Sequence, residues 1–367
     1  MNILKETTLY NDWLIPRLKI VILGKIVISC TKHNRLFTNG KILSIIFAAM
    51  NYLKILLAVF LSSMAAAQSP NETVIAFGSC NDEELPQEMW KEIIAQNPSL
   101  WIWGGDNVYA KDGEDAADLK GRYDKQKSNV DYQQLLKNCT ITGTWDDHDY
   151  GANDGGRFFS KKQENKKPLL DFFGFAKKNP VWSHAGVYNS TTVGSTHQKI
   201  KIINLDTRTF RDTTYKVYSV DSLTKKQTYN FYCNQTGDVL GEEQWHWLED
   251  ELRTNNIGLF IINSSIQFIA EEHRFEKWGN FPAARQRLIS LIGSSQRNVL
   301  IISGDRHIAE FSRLEVSGLP YPLIDFTSSG LTHTWSEVWE ERNRHRVGDL
   351  VIQKTYGLIK LLPASSR

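Results

Sequence analysis

The chain has 367 residues, of which 41% are hydrophobic and 23% are charged, a composition typical of a globular protein. Its length allows one large domain or two small ones. Residues 1–67 hold eight of the 43 Lys and Arg residues but only two of the 41 Asp and Glu residues, so residues 68–367 carry a net charge of −4. This balance argues against a nucleic-acid-binding protein, which would present a basic face.

A secretory signal peptide is predicted at residues 50–67. Lys54 is its positive flank, residues 55–61 form an unbroken apolar core, and three alanines precede Gln68. An uncleaved membrane anchor is the alternative, but the apolar run is shorter than the span of about 20 residues that a bilayer requires. We therefore expect a protein that is secreted or held in the lumen of the secretory pathway, with no stable membrane span after cleavage.

Residues 1–49 precede this signal and show no helical or strand periodicity. Because a signal peptide begins at the initiator, we expect translation to start at Met50 and residues 1–49 to be an upstream extension of the gene. The mature protein is then residues 68–367.

Secretion would place the cysteines in an oxidising compartment. Residues 68–367 contain Cys80, Cys139 and Cys233, and an odd number leaves at least one thiol free. Cys80 could pair with either of the others or be an inert buried thiol. We favour a disulfide between Cys139 and Cys233, which leaves Cys80 free to bind a metal.

Sequons of the type N-x-S/T fit a secreted glycoprotein, although such triplets are common by chance. They lie at Asn71, Asn138, Asn189, Asn234 and Asn263. Asn263 ends a predicted buried strand, so we expect no glycan on that residue.

Apolar runs alternate with amphipathic helices from residue 74 onward, which predicts an α/β architecture. Several of the runs are continuous, as in strands buried on both faces; strands are predicted at 74–77, 100–103, 141–145, 200–205, 259–262, 299–302 and 323–326. Helices are predicted at 84–96, 241–253 and 282–292. Residues 207–240 are predicted to form an inserted loop or hairpin.

Each predicted strand ends in polar or metal-binding residues. In chain order these are Cys80, Asp106, Asp146-Asp147-His148, Asp206, Ser264-Ser265, Asp305 with His307, and Thr327-Ser328-Ser329. Because the carboxyl ends of the strands form the ligand crevice of an α/β sheet, these side chains are expected to face one site.

Several carboxylates in one crevice repel each other and cannot all ionise unless cations neutralise them. Oxygen ligands suit calcium, magnesium or manganese, imidazole suits zinc or iron, and thiolate selects a softer or more Lewis-acidic ion. The mixed set therefore indicates more than one metal ion. Two metals about 3.5–4 Å apart clamp a phosphoryl group and activate a water molecule.

Each piece of this site also has a structural interpretation. Asp106 follows two glycines and could be a helix cap. The run of residues 145–156 could be a solvated turn, although two carboxylates and a histidine at a strand end favour a site. Asp305 and His307 stand two residues apart at another strand end, from which both could reach one ion.

The chain resembles the PhoD-type alkaline phosphatases and phosphodiesterases, a branch of the calcineurin-like metallophosphoesterases. The resemblance covers most of residues 74–357, in family order. The matching segments are FGSC (77–80), GGDNVY (104–109), TWDDHDYGANDGG (144–156), NLDTRTFRD (204–212), LGEEQWHWLEDEL (240–252), SGDRH (303–307) and DFTSSGLT (325–332).

The resemblance implies a β-sandwich of two mixed sheets flanked by α-helices, with Fe³⁺ and Ca²⁺ in the site. Its iron ligands would be Cys80, Asp106 and Tyr109, with Asp106 bridging the metals. The further metal ligands would be Asp147 and Asp305, with Asp146 as another candidate.

The same resemblance assigns catalytic roles. His148 and His307 would stand beside the phosphoryl group as acids or charge stabilisers. Arg208 would clamp the phosphate, since a guanidinium fork suits phosphate oxygens, but a structural salt bridge is an equal alternative. The family continues beyond a segment like residues 354–359, so we expect the C-terminus of this chain to be truncated.

The predicted function is metal-dependent hydrolysis of phosphate esters by attack of a metal-activated hydroxide. The substrate would be a small-molecule, lipid or nucleotide ester, either a monoester or a diester. Its specificity is expected to lie in residues 157–198 and 207–240. A non-catalytic secreted homologue that binds phosphate esters is the alternative, although the preserved Asp and His residues argue against it.

Overall fold

The computed structural model describes residues 73–195, 198–220, 222, 225, 227–337 and 341–363, together with three strands near the N-terminus. The predicted signal peptide lies outside the described residues. No helix of the described part is long and apolar enough to cross a bilayer.

The first sheet is mixed and contains seven strands. They are β1 (Leu4–Leu9), β2 (Leu14–Ile15), β3 (Leu18–Val27), β4 (Thr73–Gly78), β5 (Leu100–Gly104), β6 (Thr140–Thr144) and β16 (Thr355–Pro363). Their order is β1-β3-β16-β4-β5-β6, with β2 paired to β3. The strands β4, β5 and β6 are parallel, and β16 runs antiparallel to both of its neighbours.

The second sheet is also mixed and contains seven strands. They are β7 (Asn189–Ser195), β8 (Gln198–Asn204), β11 (Leu259–Asn263), β12 (Val299–Ser303), β13 (Ala309–Leu314), β14 (Leu323–Ser328) and β15 (Arg346–Val351), in the order β15-β13-β14-β12-β11-β8-β7. The four strands β8, β11, β12 and β14 are parallel. Two further strands, β9 (Lys216–Val220) and β10 (Gln227–Phe231), form a separate antiparallel hairpin.

Helices flank the two sheets. They are α1 (Met89–Ala95), α2 (Ala116–Ser128), α3 (Val130–Leu136), α4 (Asp147–Tyr150), α5 (Lys162–Phe173), α6 (Gly241–Leu252) and α7 (Pro282–Ser295), with short 3₁₀ turns at Pro180–Trp182 and Trp278–Asn280. Alternation along each strand decides which layer a side chain enters. In β4, Ile75 and Phe77 join the core between the sheets, whereas Val74 and Ala76 pack in the cluster that includes side chains of α1, α2, α3 and α5.

The expected sandwich of two mixed sheets is therefore present, and all seven predicted strands are confirmed. The helices predicted at 241–253 and 282–292 are also confirmed, and residues 207–240 contain the predicted hairpin. The helix predicted at 84–96 is shorter, because residues 82–88 form turns and irregular backbone. The sequence interpretation missed α2, α3 and α5 and the strands β7, β13, β15 and β16.

Residues 1–49 contain the strands β1, β2 and β3, although the sequence of this segment shows no strand periodicity. The strand β3 pairs antiparallel with β16 over nine residue pairs, which places it at the edge of β16 opposite β4. Initiation at Met50 stays a prediction.

A buried polar seam joins the two sheets near the carboxyl ends of their parallel strands. Asn263 Nδ2 donates to the Trp103 carbonyl and to Asn204 Oδ1, both at 2.9 Å. Asn204 Nδ2 in turn donates to Thr142 Oγ1 at 2.8 Å. Asn263 is fully buried and its amide is used in this seam, as expected for the end of a buried strand. The absence of a glycan on Asn263 stays a prediction.

The predicted disulfide between Cys139 and Cys233 is wrong, because Cys80, Cys139 and Cys233 are all free thiols. Cys139 is packed in the apolar layer between the first sheet and its helices. Cys233 follows β10 and lies against the Gly279 carbonyl, at 3.8 Å. The expectation that Cys80 is free is confirmed.

Alkylation tests this cysteine assignment. We expect peptide mapping of the denatured, unreduced protein to find iodoacetamide adducts on both Cys139 and Cys233, matching a sample reduced beforehand. A peptide pair linked through these two residues, released only by reductant, would restore the disulfide predicted from the sequence.

Candidate active site

The parallel strands of both sheets end at one crevice, where the two sheets meet. An isolated bridge joins Ser79 after β4 to Ser329 after β14. Five non-glycine residues at these strand ends have positive φ, between 49° and 68°. They are Cys80, Asp106, Ser265, Asp305 and His307. Such conformations cost free energy and cluster at functional sites, because they turn a side chain in a direction that a regular strand does not allow.

Two glycines allow the strand ends to approach each other. Gly105 has a φ of +93°, and a Cβ on it would lie 2.6 Å from the Asp146 Cβ. A Cβ on Gly304 would lie 2.3 Å from Ser79 Oγ and 3.1 Å from the Gly104 carbonyl oxygen. The glycines before Asp106 and Asp305 thus bring the carboxylates of two sheets into one site.

One half of the site contains a thiol, a carboxylate and a phenol. The Cys80 thiol lies 3.4 Å from Asp106 Oδ2, and the Tyr109 hydroxyl donates to the same oxygen at 3.3 Å. His307 Nε2 lies 3.1 Å from the Tyr109 hydroxyl. Ligand atoms of Cys80, Asp106 and His307 lie within 4.8 Å of one another, so His307 could bind a metal as well as act in catalysis.

The other half is dominated by carboxylates. Ligand atoms of Asp146, Asp147 and Asp305 lie within 4.8 Å of one another, as do those of Asp106, Asp147 and His148. Asp106 therefore belongs to both halves. Asp146 Oδ2 and Asp147 Oδ1 are buried and accept no hydrogen bond from the described residues, which leaves two acceptors facing the cluster without a donor.

Burial and mutual repulsion oppose ionisation of these groups. The pKa of Asp106 is raised well above its usual range by burial and then by Asp147 and Asp146. Burial and the same two carboxylates also raise the pKa of Asp305. Burial and Asp106 raise the pKa of the Cys80 thiol.

Asp147 is the exception among these acids. Burial opposes its ionisation, but Arg208, His148 and the hydrogen bond from the Asp154 amide outweigh burial and hold its pKa at about 2. The Asp154 N–H donates to Asp147 Oδ2 at 2.8 Å. The turn after α4 thus fixes the Asp147 carboxylate.

Arg208 is buried beside Asp146 instead of lining the pocket. Its Nε and Nη2 contact Asp146 Oδ1 at 2.6 and 2.5 Å, and its Nη1 contacts Glu276 Oε2 at 2.6 Å. Glu276 also pairs with Arg211 at 2.9 Å, and all four side chains are at most 2% exposed. The guanidinium forms ion pairs with two protein carboxylates, which agrees with the salt-bridge alternative for Arg208.

Two residues that the sequence interpretation missed support the site. Asp149 Oδ2 accepts from the Asn107 backbone and side chain at 3.1 and 2.6 Å, while its Oδ1 accepts from the Asp146 amide at 2.6 Å. Asp149 therefore ties the end of β5 to the end of β6. His333 packs edge-on against Tyr109 and His307, with ring centroids at 4.9 and 4.4 Å.

The sequence held a signal for both residues. Asp149 is the fourth member of the run DDHD, and His333 directly follows the segment DFTSSGLT. Glu276 had no such signal, because it lies in an irregular segment after β11.

An open pocket of about 150 Å³ lies over this cluster. Its floor includes Asp106, Asp147 and Asp305, and both His148 and His307 line it. Its walls add side chains from distant segments, among them Asp154, Lys216, Tyr229, Phe231, Phe275, Arg306 and Trp335. The pocket thus combines a carboxylate floor with a wall that is partly cationic and partly aromatic.

This donor set fits metal ions. Two oxygens of the clustered, buried carboxylates accept no hydrogen bond from the described residues. All of these carboxylates can ionise together only if cations neutralise them. The half with Asp146, Asp147 and Asp305 offers the hard oxygen ligands that divalent cations prefer, and the half with Cys80 adds a thiol.

Comparison with known proteins agrees with this chemistry. The family model described as PhoD-like phosphatase matches residues 75–340, which is most of the chain. The chain belongs to the PhoD-like phosphatase family. The resemblance drawn from the sequence motifs is therefore confirmed, and every site residue named above lies within the matched range.

Individual relatives of this PhoD-like chain are distant. It is 23% identical over 226 residues to alkaline phosphatase D of Bacillus subtilis (strain 168), a match that covers 54% of this chain and 36% of the relative. The solved structure titled "Structure of PhoD" superposes with a TM-score of 0.65 at 18% identity, covering 80% of this chain and 64% of that chain. The fold is therefore shared, and the chain spans about a third of the first relative and under two thirds of the second.

Substitution of Arg208 tests its structural role in this PhoD-like chain. Arg208→Met leaves Asp146 and Glu276 buried without their shared cation, so we expect the free energy of unfolding to fall by about 3–5 kcal/mol in urea titrations. Arg157 pairs with Asp212 at 2.5 Å on the surface, with its own side chain 50% exposed. The control Arg157→Met should change stability by less than about 1 kcal/mol. Equal, small effects of both substitutions would contradict the structural role.

Proposed function

We propose that this PhoD-like chain hydrolyses phosphate esters at a centre of metal ions in the strand-end crevice. The supporting observation is that Asp106 shares one set of ligand atoms with Cys80 and His307 and another with Asp147 and His148, each set within 4.8 Å. The Tyr109 hydroxyl donates to the same Asp106 carboxylate. Metal ions bound there would supply Lewis-acid charge and activate water. The family's name and the name of its Bacillus relative agree with this activity.

The two halves of the cluster suit different metals, and we assign Fe³⁺ and Ca²⁺ to them. Cys80 and Tyr109 would suit a Lewis-acidic or softer ion, and both approach Asp106 Oδ2, at 3.4 and 3.3 Å. Asp147 and Asp305 provide the hard oxygen ligands that calcium prefers, with Asp146 beside them. Asp106 would be shared between the metals.

Contacts with phosphate oxygens would come from cations of the pocket wall, because Arg208 is not among the residues that line the pocket. Lys216 lines the pocket and pairs with Asp154 at 2.8 Å, with 31% of its own side chain exposed. Arg306 also lines the pocket and pairs with Glu341 at 2.6 Å. We assign to Lys216 and Arg306 the contacts with phosphate oxygens that the sequence had assigned to Arg208.

His148 is the better placed of the two histidines for moving a proton to the leaving group. It lines the pocket and stacks on Tyr109 with ring centroids 4.2 Å apart. No side chain among the described residues hydrogen-bonds its ring nitrogens. His307 Nε2, in contrast, is already within 3.1 Å of the Tyr109 hydroxyl. His307 would instead orient Tyr109 and the phosphate.

Secretion remains part of the proposal, on the strength of the signal-peptide pattern at residues 50–67. Glycosylation would then depend on exposure of the sequons. Asn138 is exposed and Asn234 is half-buried, whereas Asn189 is buried at the start of β7. Glycans would therefore occupy Asn138 or Asn234 before Asn189 or Asn263.

Ester hydrolysis with and without metal tests the proposed activity. We expect the protein to release p-nitrophenol from p-nitrophenyl phosphate or from bis(p-nitrophenyl) phosphate, to lose this activity in EDTA, and to regain it when calcium is restored. The ratio of the two rates decides between monoester and diester preference.

A matched pair of variants locates the activity. Asp305→Asn removes a carboxylate from the cluster and should lower kcat/KM at least about 100-fold, which corresponds to roughly 2.7 kcal/mol of transition-state stabilisation. Asp250 is 75% exposed on α6, and Asp250→Asn should leave the rate unchanged. A folded, metal-loaded protein without activity on either ester would favour the non-catalytic phosphate-ester binder.

A further inference from the structure

We propose that the pocket-facing side of the β9–β10 hairpin is a subsite for a flat apolar ring carried on one ester arm of the substrate. The proposal rests on the proposed phosphate-ester function and specifies the substrate class of that site. It concerns the part of the substrate that the metal centre does not touch.

The register of the hairpin defines two faces. The opposed pairs are Lys216 with Phe231, Tyr218 with Tyr229, and Val220 with Gln227. Opposed residues project to the same face, and alternate residues along a strand share that face. Because Lys216, Tyr229 and Phe231 line the pocket, this face, which we call the ring strip, continues outward from the pocket wall.

The ring strip is tied to the metal-binding loop at its inner end. Lys216 Nζ pairs with the Asp154 carboxylate at 2.8 Å, and the Asp154 N–H donates to Asp147 Oδ2 at 2.8 Å. Two links therefore connect the strip to a carboxylate of the metal cluster. If the phosphate of a ligand lies on the metals, one of its ester arms can extend along the strip. These links fix the position of the strip relative to the metal cluster.

Two side chains of the strip, those of Tyr218 and Val220, are exposed, whereas Phe231 at the inner end is buried. Tyr218 and Val220 are 60% and 64% exposed, an unusual state for two neighbouring large side chains on one strand face. Apart from Lys216 at the inner end, the described residues of this face carry no charge. An arm that lies along the exposed part of the strip would meet the Tyr218 ring and the aliphatic Val220 side chain, which favours an apolar arm. Arg274 lies beside the strip, over the Tyr229 ring.

The two hairpin faces differ in whether their rings are already stacked. On the opposite face Tyr215 and Tyr232 stack on each other, with centroids 4.8 Å apart and planes 7° apart. On the ring strip Tyr218 and Tyr229 are tilted by 59° with centroids 6.0 Å apart, so they do not cover each other. Lys216 Nζ and the Arg274 guanidinium lie over the Tyr229 ring, 5.1 and 5.2 Å from its centroid. The exposed Tyr218 ring is therefore the one on which a flat ligand ring would stack.

Binding of phosphonates to the metal-loaded full chain tests the subsite, because the carbon–phosphorus bond is not an ester. Isothermal titration would compare methylphosphonate, octylphosphonate and naphthalen-2-ylphosphonate. The naphthyl ring reaches along roughly two strand residues, about 7 Å, which is the step from Lys216 to Tyr218. We expect naphthalen-2-ylphosphonate to bind roughly tenfold more tightly than methylphosphonate, and octylphosphonate to gain less than threefold.

Two exposed tyrosines of the hairpin supply the matched variants. Tyr218→Ser should reduce the naphthyl-to-methyl affinity ratio to about threefold or less. Tyr215→Ser, on the opposite face and 54% exposed in the native chain, should keep the full ratio. Circular dichroism of both variants checks that the hairpin change has not unfolded the protein.

The outcomes separate this inference from the function on which it rests. If no phosphonate binds and no ester is hydrolysed, the proposed function fails. If methylphosphonate binds but the naphthyl ring adds nothing, or if Tyr218→Ser and Tyr215→Ser behave alike, the ring subsite is overturned while the proposed function stands. An octyl chain that gains as much as the naphthyl ring would also overturn it, because a plain apolar surface would then be sufficient.

Discussion

Electrostatic repulsion among buried carboxylates is the constraint on which the rest of this structure depends. Burial, and then the neighbouring carboxylates Asp147, Asp146, Asp149 and Asp305, raise the pKa of Asp106. Burial with Asp146 and Asp147 does the same to the pKa of Asp305. Protein cations relieve only part of this cost. Arg208 bridges Asp146 and Glu276, and Asp149 is satisfied by N–H donors, but no Lys or Arg of the described part of the chain forms an ion pair with Asp106 or Asp305. Bound metal ions would relieve the remainder, which links metal binding to the stability of the fold.

The sandwich provides the geometry that this electrostatic arrangement requires. Each sheet contributes parallel strands whose carboxyl ends face the same crevice, so residues distant in the chain meet there. The polar seam through Asn263 and Asn204 holds the two sheets in register close to the site. Strained backbone at Cys80, Asp106 and Asp305 is maintained because the surrounding strands fix these positions. The hairpin adds a wall that belongs to neither sheet and is joined to the metal-binding loop through Lys216 and Asp154.

The sequence predicted those parts of the molecule that local patterns encode. Continuous apolar runs such as 259–262 identified the buried strands, and the polar residues after them identified the site. Helix α2, in contrast, is built from AADLKGRYDKQKS, whose few apolar residues give little amphipathic pattern, although Asp115 caps it clearly. Partners of Arg208 depend on tertiary packing: Glu276 lies 68 residues away in irregular backbone. The disulfide prediction failed because it rested on the odd number of cysteines and on the expected oxidising compartment. Both limit which cysteines could pair, but neither gives the distance between two thiols.

The most direct test of the metal-centre account is the metal dependence of stability. Urea unfolding would be measured at neutral pH for the wild type and for Asp106→Asn, each with saturating metal and after chelation. Ligand that binds only the folded state at about 1,000 times its Kd stabilises it by about 4 kcal/mol, so chelation should lower the wild-type free energy of unfolding by roughly that amount. Asp106→Asn, which removes the shared ligand and one repelling charge, should respond much less. Identical unfolding curves for the wild type with and without metal would contradict the account.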